Sequence, residues 1–542
     1  MEGLPMNGSS VYDRLVTVYS RRHDGYVVHC TNEALRANWP TFRALTSLAT
    51  PHRTAKIFSL PFAACSGSAT TGTSPSFAKA KLLERQHNGS LISGIIVRAN
   101  AFDSFDDLDE YFMDLILRST HTGIPLQEMT SNCQDNDRVV DEIVDLFDIT
   151  IRNLTPDDQW TATGREYFSR RVKHFTRHGM KLEFALPAFP CKSSNPNKVG
   201  GNLPDLAEVI ALTTLHKFVI DIERLYAPGA TVLIVSDGHV FSDCIGVDDA
   251  TVDNYGKHLS MMNDALSTAF LDDGRQRVCL RSLPEMLQAS WDNLQGPLSA
   301  QQLGLDSITH HIGQVGINDN AELCRRLLMQ GFKANTHKLR SSIASHDPAI
   351  LRLYRGFSRF MLEDLENNKY TQHLSKSQRR KLSSKVAFEM IERNQAYSNL
   401  VEVVLPDHIR LSIHAHNNAG PKFGINLMGR QVRATNSLPP DGSQPESCDF
   451  LHVPTPWHGC IVEVAGHDHL YLAKAEQVRA AVHDDKILAA WVVPKMGIPM
   501  IGATRRKNMQ VPDEITEHLS DSGAWPTAAY FIAIPTDMQY RI

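Results

Sequence analysis

Two apolar runs near the middle of the chain set its frame. Residues 181–187 (KLEFALP) form a short apolar stretch closed by proline, and residues 231–235 (TVLIV) form a continuous β-branched run of the kind buried on both faces of a parallel sheet. Between them Leu206, Ile210, Phe218, Ile222 and Leu225 recur at helical spacing as far as Tyr226. Asp205, with Glu208 three residues on, predicts a capping box at the start of this helix, and Pro228-Gly229 ends it. Strand, helix and strand in this order predict a βαβ unit. The fold class expected is therefore α/β: a Rossmann-like, mostly parallel sheet with helices on both faces, preceded by an N-terminal extension.

Helical spacing also marks residues 138–151, 251–270, 321–331 and 375–394, the last with a basic first half over 376–385 that reads as a solvated face. Residues 408–416 (HIRLSIHAH) alternate, with Ile409, Leu411 and Ile413 on one side and Arg410, Ser412 and His414 on the other, which predicts a half-exposed strand. Residues 460–464 and 470–473 read as further short strands. The first quarter differs: short apolar stretches are broken by the Ser/Thr/Gly-rich run 65–76, and an acidic amphipathic helix is expected over 102–119. The chain thus divides into an extension without visible chemistry (1–130), a core (131–505) and a tail without a clear signal (506–542).

Composition removes several classes. At 542 residues, 42% hydrophobic and 21% charged, the chain has ordinary globular composition. Its net charge of −5, from 55 Lys and Arg against 60 Asp and Glu, provides no overall positive field for a nucleic-acid backbone. The longest apolar stretch, 487–493, is far short of the roughly 20 residues a membrane span needs. No basic-then-apolar leader opens the sequence, so a cytoplasmic location away from membranes is expected. The nine cysteines, at positions 30, 65, 133, 191, 244, 279, 324, 448 and 460, are odd in number and never form CxxC. That pattern favours reduced, mostly buried thiols over disulfides or a zinc ribbon.

In an open parallel sheet, ligands bind beyond the carboxyl ends of the strands. The loop 187–201 (PAFPCKSSNPNKVGG) follows the first strand and offers Lys192, Ser193 and Asn195 just before a capped helix. That set suits a phosphate or carboxylate, although a plain surface loop has the same composition. After the second strand, Asp237-Gly238 turns the chain and brings His239 and Asp243 close behind, either as a proton relay or as an ordinary turn with an exposed imidazole. A third candidate combines Arg410, Ser412 and His414 with Trp457 and His458 of TPWHG (455–459), an anion fork beside an aromatic wall. His414, His416, His458, His467 and His469 raise a metal hypothesis, but no carboxylate at suitable spacing accompanies them, and no metal is expected.

Taken in order, LPAFPCKSSNPNKV, PDLAEV, YAPGATVLIVSDGHVFSDCIGVDD, LYRGFSRFMLEDL, IRLSIHAH and TPWHG resemble the isocyanide synthase family, also called the pyoverdine/dityrosine biosynthesis family. The resemblance is strongest to its fungal spore-wall dityrosine branch and runs over residues 138–464. It implies a Rossmann-like synthase that converts the α-amino group of an amino acid, tyrosine in the spore-wall branch, into an isocyanide or derived N-formyl group. It further implies that ribulose 5-phosphate donates the carbon, that no metal or redox cofactor takes part, and that a tailoring oxygenase or cytochrome P450 acts downstream. Matching residues to that chemistry puts Lys192, Ser193 and Asn195 at the phosphate, Asp237, His239 and Asp243 as acid/base and orienting groups, and Arg410 and His414 at the carboxylate or sugar. The family's usual Pro-Phe-Lys is Pro190-Cys191-Lys192 here, and His239 replaces an Arg that many members carry after Asp-Gly. The competing expectations are a metal-dependent hydrolase or oxygenase and a non-catalytic sugar-phosphate-binding protein.

Overall fold

The computed structural model describes residues 133–492 and 529–536, apart from internal stretches of which 289–303 and 440–453 are the longest, together with the backbone of four strands in the first hundred residues. Those strands, β1 (Tyr26–Val27), β2 (Lys56–Leu60), β3 (Lys79–His87) and β4 (Ser90–Arg98), pair antiparallel in the order β1-β4-β3-β2. The helix expected over 102–119 lies outside the described residues.

Helices α1 (Cys133–Thr150) and α2 (Arg165–Thr176) precede the predicted βαβ unit, which is present as β5 (Leu182–Pro187), α3 (Leu206–Leu225) and β6 (Ala230–Ser236). Asp205 caps α3 as expected: its side chain accepts from Ala207 N at 2.9 Å while Glu208 Oε2 accepts from Asp205 N at 2.8 Å. Next come α4 (Gly238–Ile245), α5 (Asp249–Phe270) and β7 (Val278–Ser282). Four helices follow after a short α6 (Leu283–Gln288): α7 (Asp319–Phe332), α8 (Thr336–Ala344), α9 (Pro348–Asn367) and α10 (Lys376–Val404). The chain then re-enters the sheet as β8 (Ile409–Ser412) and β9 (Lys422–Gly424). The sheet order is β7-β6-β5-β8-β9 with every pair parallel, so strand order reverses between β5 and β8.

Helices cover both faces. On one, Phe184 of β5 and Phe423 of β9 meet Phe147, Phe168 and Phe218 from α1, α2 and α3, with ring centroids 4.3–6.5 Å apart. Side-chain alternation turns Ala185, Arg410 and Lys422, which are in register across β5, β8 and β9, to the opposite face. There α10 lies over them, with Lys422 Nζ donating to Ser398 Oγ at 2.5 Å and Tyr397 Oη donating to Val235 O at 2.7 Å. One expectation needs correcting here. Residues 408–416 were predicted to be a half-exposed strand, but β8 is only four residues long and buried throughout, because β5 and β9 flank it and helices cover it.

A second, mixed sheet contains β10 (Val432–Ala434), β11 (Cys460–Val464), β12 (Leu470–Ala473), β13 (Ile487–Val492) and β14 (Tyr530–Pro535), with α11 (Ala475–His483) between β12 and β13. Its order is β10-β12-β11-β14-β13. The core therefore does not stop at 505: YFIAIP, within the supposed tail, is apolar enough to fill the place between β11 and β13. Among the described residues, Cys191, Cys244, Cys324 and Cys460 are buried free thiols and Cys279 is a half-buried one. None of the described helices is long and apolar enough to cross a membrane.

Candidate active site

In doubly wound sheets ligands bind in the crevice that a reversal of strand order opens beyond the carboxyl ends of the strands, which here is the end formed by β5, β6 and β8. Two backbone features shape it. Phe189, just past β5, is buried with φ +58°, a left-handed conformation uncommon for a bulky residue. Its carbonyl accepts from Ser236 Oγ at 2.9 Å and its ring lies 5.2 Å from that of Trp457, which ties the ends of β5 and β6 together. Gly238 opens α4 so close to the loop after β5 that a Cβ there would lie 2.2 Å from Pro190 O. No side chain fits at that position.

Asp237, between β6 and Gly238, is the residue the sequence singled out that stands at this strand end with a carboxyl oxygen free. It occupies the N-cap position of α4 without capping it. The residue is half-buried, but its Oδ1 is enclosed and has no hydrogen-bond partner among the described residues. Burial pushes its carboxyl up to about 7. A carboxyl poised near neutrality can both take and return a proton. Tyr397 of α10, which the sequence reading missed, is within electrostatic reach of both Asp237 and Arg410.

Arg410 is likewise unengaged: it is 8% exposed, and its Nε and Nη1 are enclosed without a hydrogen-bond partner among the described residues. Burial weakens its hold on the proton, an effect opposed by Glu402 and Tyr397. Further along the same face His416 Nε2 lies 3.0 Å from Ser412 Oγ, and the His414 and His416 rings are 6.1 Å apart. Burial first, then the neighbouring His414, Lys422 and Arg410, push His416 down to about 3, leaving it neutral.

The other predicted residues are placed differently. Lys192 does not face the crevice: its ammonium meets Asp205 Oδ2 at 2.9 Å, Glu208 Oε2 at 2.8 Å and Pro456 O at 2.8 Å, so its three protons are all engaged. Burial alone would lower its affinity for the proton, but the two carboxylates outweigh that and hold the charge. Lys192→Met is therefore expected to leave two buried carboxylates without a cation and to cost about 3–5 kcal/mol of stability, read by chemical denaturation. A variant that folds normally and loses only affinity for a phosphate-bearing substrate would restore the anion role. Ser193 and Asn195 brace the same loop, Ser193 N donating to Trp457 O at 3.0 Å and Asn195 N to Ser193 Oγ at 3.2 Å. Trp457 is buried behind Phe189, while the ring of His458 lies 5.0 Å from that of Phe360 and its Nδ1 lies 3.1 Å from Thr455 Oγ1.

His239 and Asp243 sit within α4, one turn apart, each with a partner. His239 Nε2 is 2.9 Å from Asp253 Oδ1, and burial keeps the imidazole below its ordinary range. Asp243 accepts from both Arg393 nitrogens, at 2.5 and 2.9 Å, and lies 3.0 Å from His310 Nδ1. Burial would raise its carboxyl, but Arg393 and His310 override this and hold it well below the usual carboxylate range. It serves as an anchor, not as a proton carrier. Arg325 extends the network to Asp249 at 3.0 Å. Of the proposed metal ligands, His467 instead lies 2.8 Å from Tyr471 Oη, and no group of three or more His, Cys, Asp or Glu among the described residues is placed to hold a metal ion.

A model of the family described as pyoverdine/dityrosine biosynthesis protein matches residues 172–485, more than half of the chain. The chain belongs to the pyoverdine/dityrosine biosynthesis family. Within this family it is similar to the spore wall maturation protein of Saccharomyces cerevisiae, with 40% identity over 349 residues that cover 64% of each protein. It is also similar to an L-tyrosine isonitrile synthase of Xenorhabdus nematophila, 30% identical over 57% of this chain and 76% of that one. A second L-tyrosine isonitrile synthase, of Pseudomonas aeruginosa, is 31% identical over 57% of this chain and 77% of its own length. The crystal structure of the PvcA protein from Pseudomonas aeruginosa aligns with a TM-score of 0.50 at 26% identity, covering 65% of this chain and 96% of that one. The family's fold is thus the α/β arrangement described above, and the family match contains the whole crevice.

Proposed function

We propose that the protein is an isocyanide synthase that converts the α-amino group of an amino acid, tyrosine in the first instance, into an isocyanide, with ribulose 5-phosphate as carbon donor. The single observation that carries this reading is the carboxyl of Asp237, whose enclosed Oδ1 has no hydrogen-bond partner among the described residues and which is held near neutrality at the switch point of a family whose relatives include named isonitrile synthases. The amine attacks the ketone carbon of the sugar phosphate and water leaves. A carbon-bound proton is then removed, phosphate is expelled and the remaining sugar carbons separate. These steps call for a proton carrier that works near pH 7, for which Asp237 is suited, and for a cation that holds an anionic substrate, for which Arg410 is suited, with His414 further along the same segment. They call for no redox cofactor and no metal. Hydration of the product would give an N-formyl amino acid, and an oxidative tailoring step by an oxygenase or cytochrome P450 follows in spore-wall or secondary metabolism. The reaction is assigned to the cytoplasm.

Incubation of the purified protein with tyrosine, valine or tryptophan and ribulose 5-phosphate, followed by mass spectrometry or capture with a tetrazine, tests this reading. An isocyanide from tyrosine is the expected product. Folded protein that yields none from any of the three would refute it. Activity lost to EDTA and restored by one metal would overturn the metal-free chemistry.

A further inference from the structure

Arg410 and Lys422 are neighbours in register on the face beneath α10, and together they place two cations side by side, the first buried and the second partly exposed. Lys422 Nζ donates to Ser398 Oγ at 2.5 Å and lies 3.6 Å from Glu402 Oε1, a carboxylate whose side chain is 49% exposed. Arg410 interacts with Glu402 only at longer range, and its Nε and Nη1 make no hydrogen bond among the described residues. A buried Arg410 and a Lys422 whose side chain is 28% exposed share one half-solvated carboxylate, and a buried guanidinium with idle donors is costly unless something occupies them. Burial first, and then the neighbouring Arg410, weaken the hold of Lys422 on its proton. Ser412, whose Oγ lies 3.0 Å from His416 Nε2, follows Arg410 on the same side of β8 at the carboxyl end of the strand.

We propose that Arg410 and Lys422 form the oxyanion subsite that holds the phosphate group of the sugar-phosphate substrate, and that the loop lysine, Lys192, has no part in it. The charge count favours phosphate over an amino-acid carboxylate: a phosphomonoester carries close to two negative charges at neutral pH, a carboxylate one. Arg410 offers the planar fork that matches such an anion, and Lys422 a point charge beside it. This assignment rests on the reading above that a sugar phosphate enters this crevice.

The test uses the full-length protein, with inorganic phosphate and ribulose 5-phosphate as probes. By calorimetry the unaltered protein is expected to bind inorganic phosphate, and Arg410→Met and Lys422→Met each to weaken that binding by about tenfold or more. In the isocyanide assay the same variants should raise KM for ribulose 5-phosphate to a similar degree and leave KM for tyrosine unchanged. With no phosphate present, Arg410→Met should melt no lower than the unaltered protein, because it removes an uncompensated buried charge. If Arg410→Met does not fold, Lys422→Met carries the same comparison. Phosphate affinity that is absent, or unchanged in both variants, overturns the subsite. So does a rise in KM for tyrosine in place of ribulose 5-phosphate. Phosphate bound through Arg410 by a protein that makes no isocyanide would uphold the subsite while refuting the synthase reading.

Discussion

Asp237→Asn is expected to reduce kcat/KM for isocyanide formation by about 10²–10⁴-fold while leaving the protein folded. Asparagine keeps the shape of the side chain and removes its ability to accept a proton. In the unaltered protein kcat/KM should rise with pH through about 7, because a base works only once it is ionised. The same carboxyl makes a second, opposite signature in stability. Its pKa in the folded protein lies above the value near 3.9 of an unfolded chain, so the folded state keeps a proton that the unfolded state has released. Stability from this group is present below about pH 4 and is lost as pH rises towards about 7. Asp237→Asn should therefore melt with the unaltered protein at pH 4 and above it at pH 8. A variant that keeps its activity, or whose melting temperature parallels the unaltered protein at both pH values, removes Asp237 from the proton-transfer role.

A loss of stability as large as that expected for Lys192→Met should follow from breaking the pair between Asp243 and Arg393, whose side chains are each 1% exposed. Arg393→Met leaves the Asp243 carboxylate with His310 and a more distant Arg325 Nε at 3.9 Å, and should cost about 3–5 kcal/mol in chemical denaturation. Because Arg393 holds the Asp243 carboxyl below its unfolded value, the pair's contribution is present above about pH 4 and lost as pH falls further. Removing both charges, in Asp243→Ala with Arg393→Met, should cost less than the sum of the two single changes, since neither partner is then left buried alone. Additive losses would show that the two side chains do not act as a pair.

Much of the frame is legible in the sequence because it depends on local pattern. The β5-α3-β6 unit follows from two apolar runs around a helical stripe, and the Asp205/Glu208 cap follows from spacing that recurs in helix starts. Asp237 is legible for a similar reason, since strand-end position in a parallel sheet is a prediction about place. What local pattern cannot carry is which element covers which. The alternation in residues 408–416 correctly separates Arg410 and Ser412 from Ile409 and Leu411, but it is silent on whether the polar side meets water or another helix. Lys192 looked like an anion ligand because its partners Asp205 and Glu208 read as capping residues. Glu208 Oε2 in fact serves the cap and the ion pair at once, with Tyr255 Oη 3.2 Å from its other oxygen. Arg393 is hidden for the same reason: it falls in a helix whose basic first half is solvent-facing, and only the packing of α10 on α4 turns it inward.

The strand β14 bears on the order in which the molecule assembles. Its pairing with β11 joins Val462 to Phe531, a closure across roughly seventy residues that forms more slowly than the hairpin of β11 with β12. Immediately before β14, Ala529 O accepts from Leu206 N at the first turn of α3, beside the carboxylates that hold Lys192. The late-arriving strand thus locks a helix start laid down more than three hundred residues earlier. A chain cut before residue 529 would be expected to collapse around its parallel sheet yet keep two open strand edges, at β11 and β13, that recruit other chains.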